Sequence, residues 1–251
     1  MNNIIGVVDS GLGGLLVLEA LKSAYPHHHY IYIGDQLHAP YGDCTKDELL
    51  QYGMTILEYF YHRQVQDVVI ACNTLCANAL IDLQDAYPNM RIHGIIDATC
   101  LQLKGISKKN ILVLATHATV QKHAYRDTLK KIVDANVWEL ACPKLVPMIE
   151  ANEEEDALKK VLEDYLEPYI GNVDAVILGC THYPIIAKHI QNILQVDVFD
   201  SNQAIIHELP FHNDKGQGKL EIYTTKDAER MHDQIKTIIK KDYLVSKLKL
   251  D

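Results

Sequence analysis

Two distant stretches of this sequence read almost as copies of one another. Asp67-Val-Val-Ile-Ala-Cys72-Asn-Thr74 and Ala175-Val-Ile-Leu-Gly-Cys180-Thr-His182 each hold an apolar run, a cysteine at its end and polar residues directly behind it. Asp9 aligns with Thr116 and Ile31 with Trp138 at one common spacing, and Cys72 with Cys180 at a spacing one residue longer. A repeat this long is not a solenoid unit, so it points to a duplicated domain. Chance matching of apolar strands is the competing explanation, and two cysteines at equivalent positions weigh against it.

Inside each copy, short apolar runs alternate with amphipathic stretches, the signature of α/β layering around a mainly parallel sheet. Strands are expected over Ile4–Val8, Tyr30–Ile33, Val68–Ala71 and Ile92–Ile96 in the first half. In the second they are expected over Ile111–Ala115, Val137–Leu140, Val176–Leu178 and Val196–Phe199. Thr45-Lys46-Asp47-Glu48 has the form of a helix capping box and leads into Leu49, Ile56, Leu57 and Phe60 at helical spacing. Asn152-Glu153-Glu154-Glu155 is expected to open another helix, with its acidic residues where the helix dipole favours them. After about residue 205 a strand over Leu220–Thr224 and a helix through Met231, Ile235, Ile238 and Ile239 are positioned to complete the first domain by crossing back. The expected fold class is α/β, with two pseudo-symmetric domains: residues 1–95 plus 205–251, and residues 96–204.

A hydrophobic fraction of 48% with 23% charged residues is that of an ordinary globular chain. A formal charge of -9 argues against binding a phosphate backbone as the main activity, so no direct nucleic-acid partner is expected. The strand-like run from Ile4 begins almost at Met1 and leaves no room for a targeting peptide, and no apolar stretch approaches the roughly 18 residues that cross a bilayer. No membrane association is therefore expected, and the predicted location is the cytoplasm, where cysteines stay thiols. Six cysteines, at 44, 72, 76, 100, 142 and 180, then read as small core residues unless their surroundings say otherwise.

For Cys72 and Cys180 the surroundings do. Ligands of open α/β sheets bind at the carboxyl ends of strands, beside helix N-termini. Asp9-Ser10-Gly11, Gly34-Asp35, Cys72-Asn73-Thr74 and Cys180-Thr181-His182 all fall at such ends. A helix starting after each would aim backbone N–H groups at an anion such as a carboxylate and lower a neighbouring thiol pKa. If the two domains face each other, one thiolate can remove a proton from a stereocentre while the other thiol delivers one to the opposite face. That is racemisation or epimerisation by general acid–base catalysis. The plainer readings are a turn and helix cap at Asp9, a satisfied core histidine at His182, and a helix-face pair at Cys72 and Cys76. Structural zinc would show tighter paired ligands, and no metal site is expected.

At these residues the chain resembles the bacterial glutamate racemases of the aspartate/glutamate racemase superfamily. The motifs are Val7-Val8-Asp9-Ser10-Gly11-Leu12-Gly13-Gly14, Gly34-Asp35 with Pro40-Tyr41-Gly42, and Ala71-Cys72-Asn73-Thr74. Ala115-Thr116 with Ala118-Thr119-Val120 and Tyr125, Leu145-Val146-Pro147-Met148-Ile149-Glu150, and Leu178-Gly179-Cys180-Thr181-His182-Tyr183-Pro184 come next in family order. The resemblance implies a ligand in the cleft between two α/β domains and catalysis without pyridoxal phosphate or metal, so no cofactor. It implies Cys72 and Cys180 as the acid/base thiols, Asp9 assisting one, and Glu150 and His182 assisting the other. Ser10, Tyr41, Gly42, Asn73, Thr74 and Thr181 match positions holding the substrate's amino and carboxylate groups, and Thr116 and Thr119 a segment near the side-chain carboxylate. The implied substrate is L- or D-glutamate, the implied purpose D-glutamate for peptidoglycan, and the implied assembly a homodimer.

The chain departs from the family pattern at Leu75-Cys76, at Gln36-Leu37-His38-Ala39 and at Lys122-His123. These changes bear on specificity and turnover more than on reaction type. The competing functions are an aspartate or broad-specificity racemase, a non-catalytic amino-acid sensor, and a hydrolase using Cys180 with His182. A sensor needs neither thiol, and the hydrolase leaves Cys72 without a role.

Overall fold

Parallel strands are covered on both faces and must be nearly continuous apolar runs. In the computed structural model, which describes residues 4–209 and 218–250, the central strands obey that rule. Strands β1 (Ile4–Asp9), β2 (His29–Gly34), β3 (Asp67–Ile70) and β4 (Arg91–Gly94) belong to one sheet. Strands β5 (Asn110–Ala115), β6 (Asn136–Ala141), β7 (Ala175–Gly179) and β8 (Asp197–Phe199) form a second. Every pairing is parallel, and β7, at the heart of its sheet, is buried along its whole length.

The strand order β2-β1-β3-β4 in the first sheet recurs as β6-β5-β7-β8 in the second. That is the duplication in three dimensions. In both sheets the order reverses between the two central strands, and the crevice outside such a reversal is where doubly wound sheets bind ligands. Asp9 and Cys72 lie there in the first half, Thr116 and Cys180 in the second.

The register corrects one sequence equivalence. Val8 pairs with Ile70 and Leu114 with Leu178, so Cys72 and Cys180 do occupy matching positions, but Asp9 corresponds to Ala115, not Thr116. The second half thus has no carboxylate where the first has Asp9. The other corrections are local. Ile95 and Ile96 do not extend β4; they open the helix Ile95–Leu101. Asn152 caps nothing: its φ is 49°, and the helix Glu155–Leu166 takes Glu154 as its N-cap. Thr45 and Glu48 do form the reciprocal capping box on the helix Lys46–His62.

The C-terminal segment returns to the first sheet. Strand β9 (Leu220–Thr224) pairs with β2, and a short β10 (Ser246–Lys247) pairs with β9. Between them lie the helix Ala228–Gln234 and a π turn over Ile235–Ile239. Residues 210–217 of the segment expected to cross back are outside the described residues. Among the described residues no helix is long and apolar enough to cross a membrane.

Candidate active site

The chain leaves β3 at Cys72, which is the N-cap of the helix Asn73–Ala86 and almost fully buried. Its thiol donates to Ser10 Oγ across 3.7 Å. Helix starts come after the other strand ends less directly than expected. After Gly34 the chain makes only a short 3-10 turn, Tyr41–Asp43, and after Cys180 a 3-10 turn, Tyr183–Ile186, precedes the helix Ala187–Leu194. Nor is Cys72 pushed toward the thiolate. Burial, and after it the nearby Asp9 charge, raises its pKa to about 12, against the pull of the Leu75 N–H and the Ser10 hydroxyl. Desolvation outweighs the helix terminus here.

Asp9 is fully buried beneath the cysteine loops. Its carboxylate accepts from the Gly11 N–H at 3.0 Å and from the Thr181 hydroxyl at 3.2 Å, so it is tied to both halves. Burial raises its pKa, opposed by the His182 charge and by the hydrogen bonds from Gly14, Gly11 and Thr181. The glycines after it have a steric cause that the sequence does not disclose. A Cβ on Gly13 would lie 2.5 Å from Thr181 Oγ1 and 2.7 Å from His182 Nδ1, and one on Gly11 would lie 2.9 Å from Glu150 Oε1. Only bare backbone lets the first half press this closely on the Cys180 loop.

On the other side, Cys180 Sγ lies 3.9 Å from His182 Nδ1, and His182 Nε2 lies 2.9 Å from Glu150 Oε1. Burial alone would lower the His182 pKa; the Cys180 and Glu150 contacts overcome it and raise it to about 10. Burial likewise works upward on Glu150, yet the His182 hydrogen bond and charge hold its carboxyl below the usual value. Both directions describe an imidazolium–carboxylate pair, with the cation beside the sulfur.

The polar residues between these groups are cross-linked. The Tyr125 hydroxyl donates to Asn73 Oδ1 at 2.6 Å, while Asn73, which borders the cavity, keeps a buried Nδ2 with no hydrogen-bond partner among the described residues. Thr74, Thr116 and Thr119 hydroxyls meet at 2.8 and 2.9 Å, centred on Thr116. Tyr41 donates to Asp35 Oδ2 at 2.6 Å. All this surrounds a cavity of about 350 Å³, bordered by Ser10, Cys72, Thr116, Glu150, Cys180 and His182 among others. That volume suits a small metabolite, and its walls offer thiols, hydroxyls and an amide on opposite sides.

A model of the Asp/Glu/Hydantoin racemase family matches residues 16–209. The glutamate racemase of Aquifex aeolicus (strain VF5) is 38% identical over 239 residues, covering 94% of this chain and 93% of the relative. The chain belongs to the Asp/Glu/Hydantoin racemase family. Its fold is similar to that of the Bacillus anthracis glutamate racemase, with a TM-score of 0.90 at 27% identity over 98% of this chain and 97% of that one. The Francisella tularensis glutamate racemase, solved with D-glutamate, gives 0.89 at 26% identity over 100% and 98%. Within the family this chain is an isomerase of the glutamate racemase type.

Of the racemase site residues expected from sequence, Ser10, Tyr41, Gly42, Cys72, Asn73, Thr74, Thr116, Glu150, Cys180, Thr181 and His182 all border the cavity. Asp9 and Thr119 do not; they lie behind it, touching it through Thr181 and Thr116. Sequence reasoning missed Gln36, Cys142, Lys226, Arg230 and Gln234, which also border it. The strand Leu220–Thr224 was the available signal for the last three, since its return beside β2 carries residues 226–234 to the same strand ends.

Proposed function

We propose that this chain interconverts L- and D-glutamate by proton transfer between two thiols, supplying D-glutamate for peptidoglycan. The observation that carries the reading is the pair Cys72 and Cys180, at equivalent strand ends, bordering one cavity from its two halves. One sulfur takes the Cα proton, the electron pair of the broken C–H bond passes into the substrate carboxylate, and the opposite thiol protonates Cα on the other face. Turnover leaves the two sulfurs with exchanged protonation states, so the return reaction needs no further group and no cofactor.

The two arms are not alike. The pKa of about 12 at Cys72 keeps that sulfur protonated in the free enzyme. On the Cys180 side the His182 imidazolium, with Glu150 behind it, is the counter-ion a thiolate needs. In this reading Cys180 deprotonates one enantiomer and Cys72 the other, and Asp9 assists Cys72. Ser10, Tyr41, Gly42, Asn73, Thr74 and Thr181 hold the amino and α-carboxylate groups; Asn73 Nδ2 supplies a donor otherwise without a partner among the described residues. Thr116, backed by Thr119, faces the side-chain carboxylate.

The same reading divides the molecule into domains of residues 1–95 plus 205–251 and 96–204, makes it a homodimer and places it in the cytoplasm. Light scattering on purified protein tests the dimer. For the reaction, α-proton exchange in deuterated water is monitored with each cysteine replaced separately. Cys72→Ala and Cys180→Ala are each expected to abolish racemisation; near-normal racemisation by either overturns the two-base mechanism. D-glutamate and D-aspartate formation, measured in parallel without added cofactor, tests the substrate. Faster turnover of aspartate overturns that assignment.

A further inference from the structure

Glu150 is the last residue of the helix Leu145–Glu150, where backbone carbonyls have no partner within the helix. Its carbonyl accepts a hydrogen bond from Gln234 Nε2 at 3.2 Å. Gln234 Oε1 accepts in turn from Gln36 Nε2 at 2.9 Å, and Gln36 Oε1 from the Thr224 hydroxyl at 3.1 Å. Both glutamines and Thr224 are buried.

The direction of this chain is determined from one end. A backbone carbonyl can only accept, so Gln234 must turn its Nε2 to Glu150 and its Oε1 to Gln36. Gln36 must then present Nε2, which leaves its Oε1 for the Thr224 hydroxyl. Thr224 Oγ1 already accepts from the Lys226 N–H at 3.4 Å, so its proton is available to donate. Flipping Gln234 would break two bonds, and flipping Gln36 would set its oxygen against Gln234 Oε1. A second feature marks the same spot: the helix Ala228–Gln234 runs directly into the π turn Ile235–Ile239, and such widenings are rare and cluster at functional sites.

We propose that Gln234 is a positioning residue for the Cys180 arm of the site, an inference that rests on the racemase reading. Thr224 and Gln36 belong to the ends of β9 and β2 in the first sheet, whereas Glu150 belongs to the second half. The relay therefore pins Glu150 across the cleft, and Glu150 holds His182, whose other ring nitrogen faces Cys180. No comparable relay reaches Cys72 among the hydrogen bonds of the described residues. Its effect falls on one of the two proton transfers.

The test compares wild type, Gln234→Leu and Gln234→Glu as full-length proteins, on glutamate carrying hydrogen or deuterium at Cα, starting from each enantiomer. Gln234→Glu keeps the size of the side chain but, when ionised, offers only acceptor oxygens to the Glu150 carbonyl. Both variants are expected to lose roughly tenfold in kcat, the effect of leaving a buried acceptor unpaired beside the chemistry. The isotope effect on kcat/KM is expected to rise for the enantiomer deprotonated on the Cys180 face and to fall for the other. Slowing one proton transfer makes it more limiting from one side and less limiting from the other. Gln36→Leu, which removes the support of Gln234 but leaves the bond from Gln234 to Glu150, is expected to move both isotope effects in the same sense by less. Unchanged kcat, or isotope effects that shift equally for both enantiomers, overturns the proposal. A wild-type protein that racemises no glutamate overturns the functional reading instead, and the parallel wild-type assay separates the two.

Discussion

Replacing Glu150 with glutamine removes a charge while leaving an oxygen where His182 Nε2 can still donate. The present contact is 2.9 Å long, and the His182 side chain is 3% exposed. A hydrogen bond to an ionised partner contributes about 1–2 kcal/mol more than its neutral counterpart, which is roughly 5- to 30-fold in any step that depends on the imidazolium. The same difference in stability lowers Tm by roughly 2–8 °C in a chain of this size. The pH dependence carries the sharper signature. His182 is raised in the folded protein to about 10 from an ordinary 6.5, so its protonated form stabilises the fold in full below about pH 6.5, and that contribution is lost as pH rises through about 10. Glu150 is lowered from 4.5, so its contribution is present above that value and lost as pH falls through the folded one. The Tm gap between wild type and Glu150→Gln should therefore be widest between about pH 5 and 6.5 and should narrow steadily from there toward pH 10. Circular-dichroism melts across that range, with kcat measured alongside, test this. An unchanged kcat, or a gap that stays constant or widens as pH approaches 10, refutes the imidazolium–carboxylate pair.

Tyr125→Phe leaves Asn73 Oδ1 buried without its 2.6 Å donor, and should cost about 1–3 kcal/mol in urea denaturation and raise KM for glutamate. Thr45→Ala breaks the capping box on the helix Lys46–His62 and should cost about 1 kcal/mol by the same measurement, with kcat unaltered because Thr45 does not border the cavity.

Much of the site was legible because the duplication puts chemistry at strand ends. An apolar run leading to cysteine and polar residues, occurring twice, locates Cys72 and Cys180 without coordinates. Local signals were equally readable where they are self-contained, as with Thr45 and Glu48, whose reciprocal hydrogen bonds need no other part of the chain. Boundaries failed where a neighbour decides them. Ile95 and Ile96 have strand propensity, yet β3 ends its pairing with β4 at Gly94, and the chain turns into a helix there.

Ionisation lay beyond the sequence altogether. The helix start behind Cys72 suggested a lowered thiol pKa, but burial and the approach of Asp9 reverse it. Those effects depend on the depth of the thiol and on how β1 packs beside β3, which no local pattern encodes. The same holds for Gln36 and Gln234, far apart in the chain and joined only because β9 pairs with β2. The α/β class, the twofold plan and the strand-end positions of Cys72 and Cys180 were readable along the chain, since periodicity and repetition are properties of order. Tertiary structure alone decided that Asp9 has no counterpart in the second half and that Gln36 and Gln234 reach the Glu150 carbonyl. It also decided that Gly11 and Gly13 let one half touch the other. Those are consequences of packing two copies face to face, where equal sequences meet unequal surroundings.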